Sequence, residues 1–454
     1  MHGPFGAGRL RLRTAGGPTD AGAPARTPQT GKIVAVAVTI LWAIVLVLIL
    51  RHSVFVSHDS ISNYGHVWFV SDRFWSGHGI PLHMPIIGHG KAFAFPYGFL
   101  PWFSASLLHP LLGDWVVTLW LVLGFLGLVA AMFWAFPEIR RGWWAATALV
   151  NPALVIAPII GQLPFIWGSA LLMAAIGCWR RGRYVEAAVL AGIGQATHPA
   201  VVLPMAIGLV VFGLFCEDDK RRLLRFYAIS FVIALPATWI VFVSPVFVDS
   251  SAWVIISNFF GTLLVRSFVI AGPILLVLFQ RGRDRDAPLL RRSWFLPALF
   301  VGTLLLNVAL GGVLDTRYAW GALNRKPNTD LLHFVNSPNF EPTKTYRIIR
   351  AGDGKVGMYQ IVRKGGHLDS EFFPESIGRK SWDTTESYTQ FLRGRRVDFV
   401  IVYDSYDRTY RTNEHTLLDQ LSVRGLAGCD QQDVGATPLA HAEHYDVYTI
   451  RREC

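Results

Sequence analysis

A chain of 454 residues that is 52% hydrophobic, 13% aromatic and only 16% charged carries more apolar surface than a soluble fold of two or three domains needs. Its net charge of +11 would suit nucleic acid if the basic residues were pooled, but they sit in short connectors between apolar runs, which reads as a membrane-topology signal and leaves no nucleic-acid partner. Uncharged apolar segments of about 18 residues or more recur as far as Val313 and then stop, each long enough to cross a hydrocarbon core of about 30 Å.

In chain order, residues 1 to 31, rich in Gly, Pro, Ala, Thr and Arg, read as a disordered cytoplasmic tail. No short apolar segment with a cleavage site opens the chain, so an ordinary secretory leader is not expected. The first span, "KIVAVAVTILWAIVLVLIL" (32 to 50), starts on the basic tail and runs outward, which makes residues 51 to 114 an extracytoplasmic loop. Within it, "SISNYGHVWFVSDRFW" reads as a helix. Its Tyr64, Trp68 and Trp75 are spaced to share a face, as suits a helix lying in the membrane interface. The stretch "FPYGFLPWFSASLLHPLLG" (95 to 113) is aromatic, broken by prolines and borderline in length, and reads as an interfacial or re-entrant helix. The second crossing is then 115 to 136. Further crossings fall near 143 to 160, 163 to 178, 184 to 198, 199 to 216, 226 to 244, 259 to 279 and 293 to 313. The total of about nine keeps every basic connector, "EIRRG", "WRRGRY", "EDDKRRLLR" and "QRGRDRDAPLLRR", on the cytoplasmic side and leaves the C-terminus outside. Pro-containing outer turns, "IAPIIGQLPF" and "GQATHPA", suggest helices that stop short and frame a cavity.

Residues 314 to 454 read as a water-soluble extracytoplasmic α/β unit. "TYRIIR" and "MYQIVR" alternate as strands do, and "VDFVIVY" and "HYDVYTIRR" are further strands. "DTTESYTQFLRG" is a helix capped by Asp383 or Thr384, and "NEHTLLDQL" is helical. The unit has no Gly-rich phosphate loop, nucleophile motif or metal-spaced Cys/His set, so packing or acceptor binding is its expected role. Cys429 and Cys454 fall here, on the side where a disulfide persists; two unrelated thiols are the other reading. Cys178 and Cys216 fall at cytoplasmic helix ends.

Several side chains could carry chemistry. Asp59 lies nine residues past the first span, where a carboxylate shielded from water could take a proton from a sugar hydroxyl; capping the following helix is the plainer role. Asp72 is either a second acid or metal ligand, or an exposed partner of Arg73. Seven of the 14 histidines lie between His52 and His109, and imidazole is a common metal ligand, but their spacing matches no zinc signature. Arg266 sits in the outer third of a span, where an arginine is costly and pairs with an anion such as a lipid phosphate, or else snorkels to the headgroups. Arg317, Tyr318 and Lys91 are further phosphate candidates. Gln162, Gln195 and His198 lie at outer helix ends, where they could line the same cavity.

Taken together, Asp59 after the first helix, "FPYGFLPW" (95 to 102) and "GQLPFIWGSALLMAAIGCWRRGRYVEAAVLAGIGQATHPAVVLP" (161 to 204) resemble the GT-C superfamily of integral membrane glycosyltransferases, its mannosyl- and arabinosyltransferase-like members in particular. The resemblance implies a GT-C-like transmembrane domain over 32 to 313 and a hexosyl- or pentosyltransferase. Its donor would be a polyprenyl-phosphate sugar and its acceptor a glycan, glycolipid or protein at the outer face of the plasma membrane, in cell-envelope biogenesis. It further implies Asp59 as base and Arg266 as a binder of the carrier phosphate, with His58 beside them. Many members pair two acids at this place, whereas this chain has His58 next to a single Asp59, so a divalent ion (Mg or Mn) is an open cofactor. The competing class is a non-enzymatic transporter or envelope-assembly protein; a transporter should show inverted repeats and ionisable residues at mid-membrane, and apart from Arg266 the spans carry few.

Overall fold

The computed structural model describes residues 29–50, 60–81, 83–88, 99–135, 157–159, 161–198, 219–243, 330–349, 355–369, 382–403, 413–424, 435–441 and 445–451. The N-terminal part is helical: α1 (Gln29–Ile49), α2 (Ser60–Trp75), α3 (Phe99–Leu112), α4 (Trp115–Ala135), α5 (Leu163–Arg180), α6 (Tyr184–Thr197) and α7 (Lys220–Val243). Among the described residues three helices are long and apolar enough to cross a membrane: Lys32–Ile49, Trp115–Ala135 and Leu163–Arg180. The expected crossings at 199 to 216, 259 to 279 and 293 to 313, and most of 143 to 160, lie outside the described residues.

Two sets of contacts define the ends of the bundle. At one end Arg180 donates to the Ala135 carbonyl, Arg181 donates to the Trp134 carbonyl at 2.7 Å and stacks its guanidinium over the Trp134 ring, and Arg222 donates to the Tyr184 hydroxyl at 2.9 Å. The basic connectors therefore have a second task besides orientation: they satisfy carbonyls that the end of α4 leaves without intrahelical partners. At the other end Thr118 donates to the Leu50 carbonyl, Asn63 donates to the Gly161 carbonyl, and the Phe165 and His198 rings meet edge to face. Hence α4 and α5 run in the same direction, with Ala135 and Gly161 at opposite ends, and α6 and α7 both start at the basic end and run the other way, as the expected crossings require.

The seam between α4 and α5 is made by two glycines, each seating a tryptophan of the other helix. A methyl at Gly124 would collide with Trp167, and one at Gly177 with Trp134. Small residues let the backbones approach where no hydrophobic drive separates protein from lipid. Exposed Trp115, Leu119 and Leu123 form one stripe down α4 at four-residue spacing, and Val36, Ile40, Ile44 and Leu48 do the same on α1, as lipid-facing surfaces do.

The helix read over "SISNYGHVWFVSDRFW" is α2, residue for residue. Its three aromatics do not share an outward face as expected: Tyr64 is fully buried, Trp68 is half-buried, and Trp75 is 59% exposed. A helix buried on nearly all sides belongs to a core. α2 packs against α3 on one side and the C-terminal unit on the other. At 14 residues, or about 21 Å, α3 is too short to cross a bilayer, as read.

The C-terminal unit contains α8 (Asp330–Val335), β1 (Thr345–Ile349), α9 (Lys355–Arg363), β2 (His367–Leu368), α10 (Thr385–Gly394), β3 (Phe399–Tyr403), α11 (Glu414–Arg424), β4 (Gly435–His441) and β5 (Tyr445–Arg451). Its five strands are ordered β2-β1-β3-β5-β4; β2, β1 and β3 are parallel, and β5 pairs antiparallel with both β3 and β4. Residues alternate between two faces. Tyr346, Ile348, Phe399, Ile401, Tyr445 and Val447 face α9, whereas Val400, Val402, Tyr448 and Ile450 pack with Tyr388, Leu392, Leu417 and Leu421 of α10 and α11. Each such buried aliphatic or aromatic side chain contributes roughly 1.5–3 kcal/mol.

"MYQIVR", read as a strand, is the second half of α9. Met358, Tyr359, Ile361 and Val362 are all buried, a spacing that fits one helix face as well as a strand pattern, and a parallel β1–β2 pair needs a crossover helix between its strands. Thr384, rather than Asp383, caps α10 in a reciprocal pair with Ser387. β4 lies outside the strands expected from the sequence and holds Pro438, which is tolerated there because β4 is an edge strand.

Candidate active site

At the end of the bundle away from Arg180, Arg181 and Arg222, three helices bring polar side chains into a buried junction. α2 begins at Ser60, and its backbone touches Gly161, where any side chain would collide with the Ser60 backbone. Gly161 has φ of +80°, a conformation that only glycine takes at low cost. It turns the chain into α5, which starts with Gln162 at the cap position and a proline in its first turn. Asn63, one turn into α2, bridges this turn to α3: its amide nitrogen donates to the Gly161 carbonyl, and its oxygen accepts from Trp102 Nε1 at 2.9 Å.

Trp102 stacks on His66 with ring centroids 4.1 Å apart. His66 Nδ1 lies 2.7 Å from the Ser62 carbonyl, a contact only a protonated Nδ1 can make, so the neutral ring presents Nε2 as a lone pair. Burial drives its pKa down to about 4, only partly offset by the bond to Ser62, so the imidazole is neutral at physiological pH. Gln162 is 3% exposed and its Nε2 has no hydrogen-bond partner among the described residues. His198 closes the end of α6 and meets Phe165 of α5 at 6.1 Å between ring centroids. Buried polar groups normally find partners, so a junction of this kind is equipped to hold a polar ligand out of water.

Of the side chains singled out in the sequence, Gln162 and His198 fall at this junction. Asp59, His58, Lys91, Arg266, Arg317 and Tyr318 lie outside the described residues, as do Cys429 and Cys454. Asp72 is exposed in the last turn of α2, about 18 Å along the helix from Ser60, so it is not a second acid of the same junction. The first-loop histidines that are described do not converge. His66 is buried beneath Trp102, His78 is exposed and bonds Ser76, and His109 faces Asp114 at 3.3 Å. Among the described residues no group of three His, Cys, Asp or Glu side chains comes together as metal ligands would.

Asn63, Trp102 and Gly161 escaped the sequence reading. Trp102 ends the "FPYGFLPW" stretch and Gly161 precedes a proline-containing helix start, but nothing local says that the two share a partner.

No protein-family model matches the chain, and no curated protein matches it either. Among solved structures the chain is similar to the archaeal oligosaccharyltransferase AglB from Archaeoglobus fulgidus, in complex with an inhibitory peptide and a dolichol-phosphate. The TM-score is 0.47 and the identity 11%, over 85% of this chain and 71% of that one. So distant a likeness carries no weight for function, which rests on the residues of this chain.

Proposed function

We propose that the protein is a membrane glycosyltransferase that moves a sugar from a polyprenyl-phosphate carrier to a hydroxyl group of a glycan, glycolipid or protein at the outer membrane face. One arrangement supports the reading: Gln162 caps the helix whose Phe165 meets His198, the turn before that cap touches Ser60 where α2 begins, and α2 begins one residue after Asp59. The sequence expected these residues to line one cavity.

In the proposed reaction the Asp59 carboxylate takes the proton of the acceptor hydroxyl. The acceptor oxygen forms a bond to the anomeric carbon as the bond from that carbon to the phosphate oxygen breaks, inverting the centre. The lipid phosphate leaves with the electron pair, its charge met by Arg266 and Arg317, with Tyr318, Lys91 and His58 in supporting contacts. Gln162 and His198 orient sugar hydroxyls. A divalent ion, if one is used, would supply further charge stabilisation to the phosphate; every step above is carried by protein groups.

The test uses the full chain in membranes supplied with labelled polyprenyl-phosphate sugars. Asp59→Asn lowers transfer by roughly 100- to 10,000-fold, the usual contribution of a general base, while Asp72→Asn leaves it unchanged. Undiminished transfer by a folded Asp59→Asn protein sinks the assignment. Arg266→Ala raises the apparent KM for the carrier; an unchanged KM removes its phosphate role.

A further inference from the structure

Among the described residues the C-terminal unit meets the first loop and its immediate border at three places. Tyr359 of α9 donates its hydroxyl to Asp114 Oδ1 at 2.6 Å, and Arg363, one turn on, reaches Asp114 Oδ2 at 3.3 Å. His109 of α3 lies against the same carboxylate, so Asp114, between α3 and α4, collects partners from two parts of the chain. The Tyr359 ring lies 6.1 Å from Tyr64 of α2. Finally, Leu368 of β2 donates its backbone N–H to the Ile86 carbonyl at 2.9 Å, and Ile87 bridges Leu368 in parallel, so the first loop covers the open edge of the sheet. Met84 and Ile87 join one continuous core with Tyr64, Tyr346 and Met358.

We propose that the C-terminal α/β unit positions α2 for the reaction, and that Tyr359 and Asp114 are the positioning pair. The proposal rests on the glycosyl-transfer reading for the identity of the reaction, but its physical content is independent of it. Tyr64 is adjacent to Asn63, which holds the start of α2 to Gly161. A shift of α9 therefore moves the helix that carries the junction. Tyr359, Arg363 and His109 all converge on Asp114 while the sheet edge holds the loop beyond α2, so α2 is gripped from both of its flanks. The unit is then part of the catalytic body rather than a separate acceptor-binding module.

The experiment reads the position of α2 and turnover separately, in the full-length protein. Ser71 is buried on α2, seven residues from Tyr64. A Ser71→Cys substitution supplies a thiol there, and its labelling by a membrane-impermeant maleimide is measured above the background of the native cysteines. Tyr359→Phe keeps the ring but not the donor, and it raises the labelling rate about tenfold, as expected when a charge-assisted hydrogen bond no longer opposes local opening. Asp114→Ala does the same; Asp114→Asn keeps an acceptor for Tyr359 and restores most of the protection. In transfer assays Tyr359→Phe lowers kcat per folded molecule while the acceptor KM stays the same, whereas a merely structural role lowers the yield of folded protein and leaves kcat alone. Unchanged labelling of the Ser71→Cys thiol in folded Tyr359→Phe overturns the positioning role, and so does faster labelling with unaltered kcat. Faster labelling in a chain whose wild type transfers no sugar upholds the grip on α2 and counts against the glycosyl-transfer reading instead.

Discussion

Asn63 and Gly161 are 98 residues apart in the chain, yet the Asn63 amide donates to the Gly161 carbonyl inside a buried junction. The same side chain accepts from Trp102, so one asparagine joins α2, α3 and the start of α5. Asn63→Leu removes the acceptor for the indole N–H and the donor to the Gly161 carbonyl, which costs about 1–3 kcal/mol. Thermal unfolding of the detergent-solubilised chain should show a loss of this order, with transfer falling further than Tm alone explains. Asn63→Asp keeps the acceptor but places a charge facing a carbonyl, and it should be the worse variant.

Gly161→Ala tests the contact from the other side. The backbone there is left-handed and the added methyl meets Ser60, so α2 and α5 must separate. The strain is about 1–3 kcal/mol, and the expected outcome is folded protein with greatly reduced transfer. Full transfer by Gly161→Ala would show that the meeting of these helices does not matter to turnover.

His66 makes stability depend on acid. Its folded pKa of about 4 lies below the ordinary 6.5, so the unfolded chain binds the extra proton and stability falls as pH drops from about 6.5 toward 4, by up to about 3 kcal/mol. His66→Phe keeps a ring for Trp102 to stack on and removes the proton site. Unfolding midpoints measured between pH 7 and 4.5 should decline more steeply for the wild type than for His66→Phe; parallel curves would contradict the buried neutral imidazole.

In the C-terminal unit Arg347 forms a bidentate pair with Glu414 and a third bond to Asp369 at 3.0 Å, all three being buried. Burial pushes the Glu414 carboxyl up, against the pull of Arg347. Glu414→Gln leaves a buried guanidinium with half of its compensation and should cost about 3 kcal/mol. Because the unit grips α2, the same variant should raise labelling of a cysteine placed at Ser71, whereas Gln420→Ala at an exposed position of α11 should not.

The sequence determined much of this protein directly, because some signals are local. A run of apolar residues needs a helix to satisfy its own backbone in lipid, so the bounds of α1, α4, α5 and α6 were readable to within a few residues, as was α2 from Ser60 to Trp75. Basic residues at one set of helix ends also gave the directions seen from α4 to α7, the first two helices running toward that end and the last two away from it. "MYQIVR" misled because four buried residues in five positions suit a strand or a helix face, and only the β1–β2 crossover decides between them. The tertiary structure alone decided what the first loop rests on. Neither the Tyr359–Asp114 bond nor the pairing of Ile87 with Leu368 has any signature in local sequence, since the partners are far apart in the chain and the groups involved, a hydroxyl, a carboxylate and backbone amides, are chemically ordinary. For the same reason the many histidines of the first loop drew attention as a cluster, while packing sent His66 under Trp102 and His109 to Asp114: residue type advertises chemistry, but long-range contact decides which side chains share it.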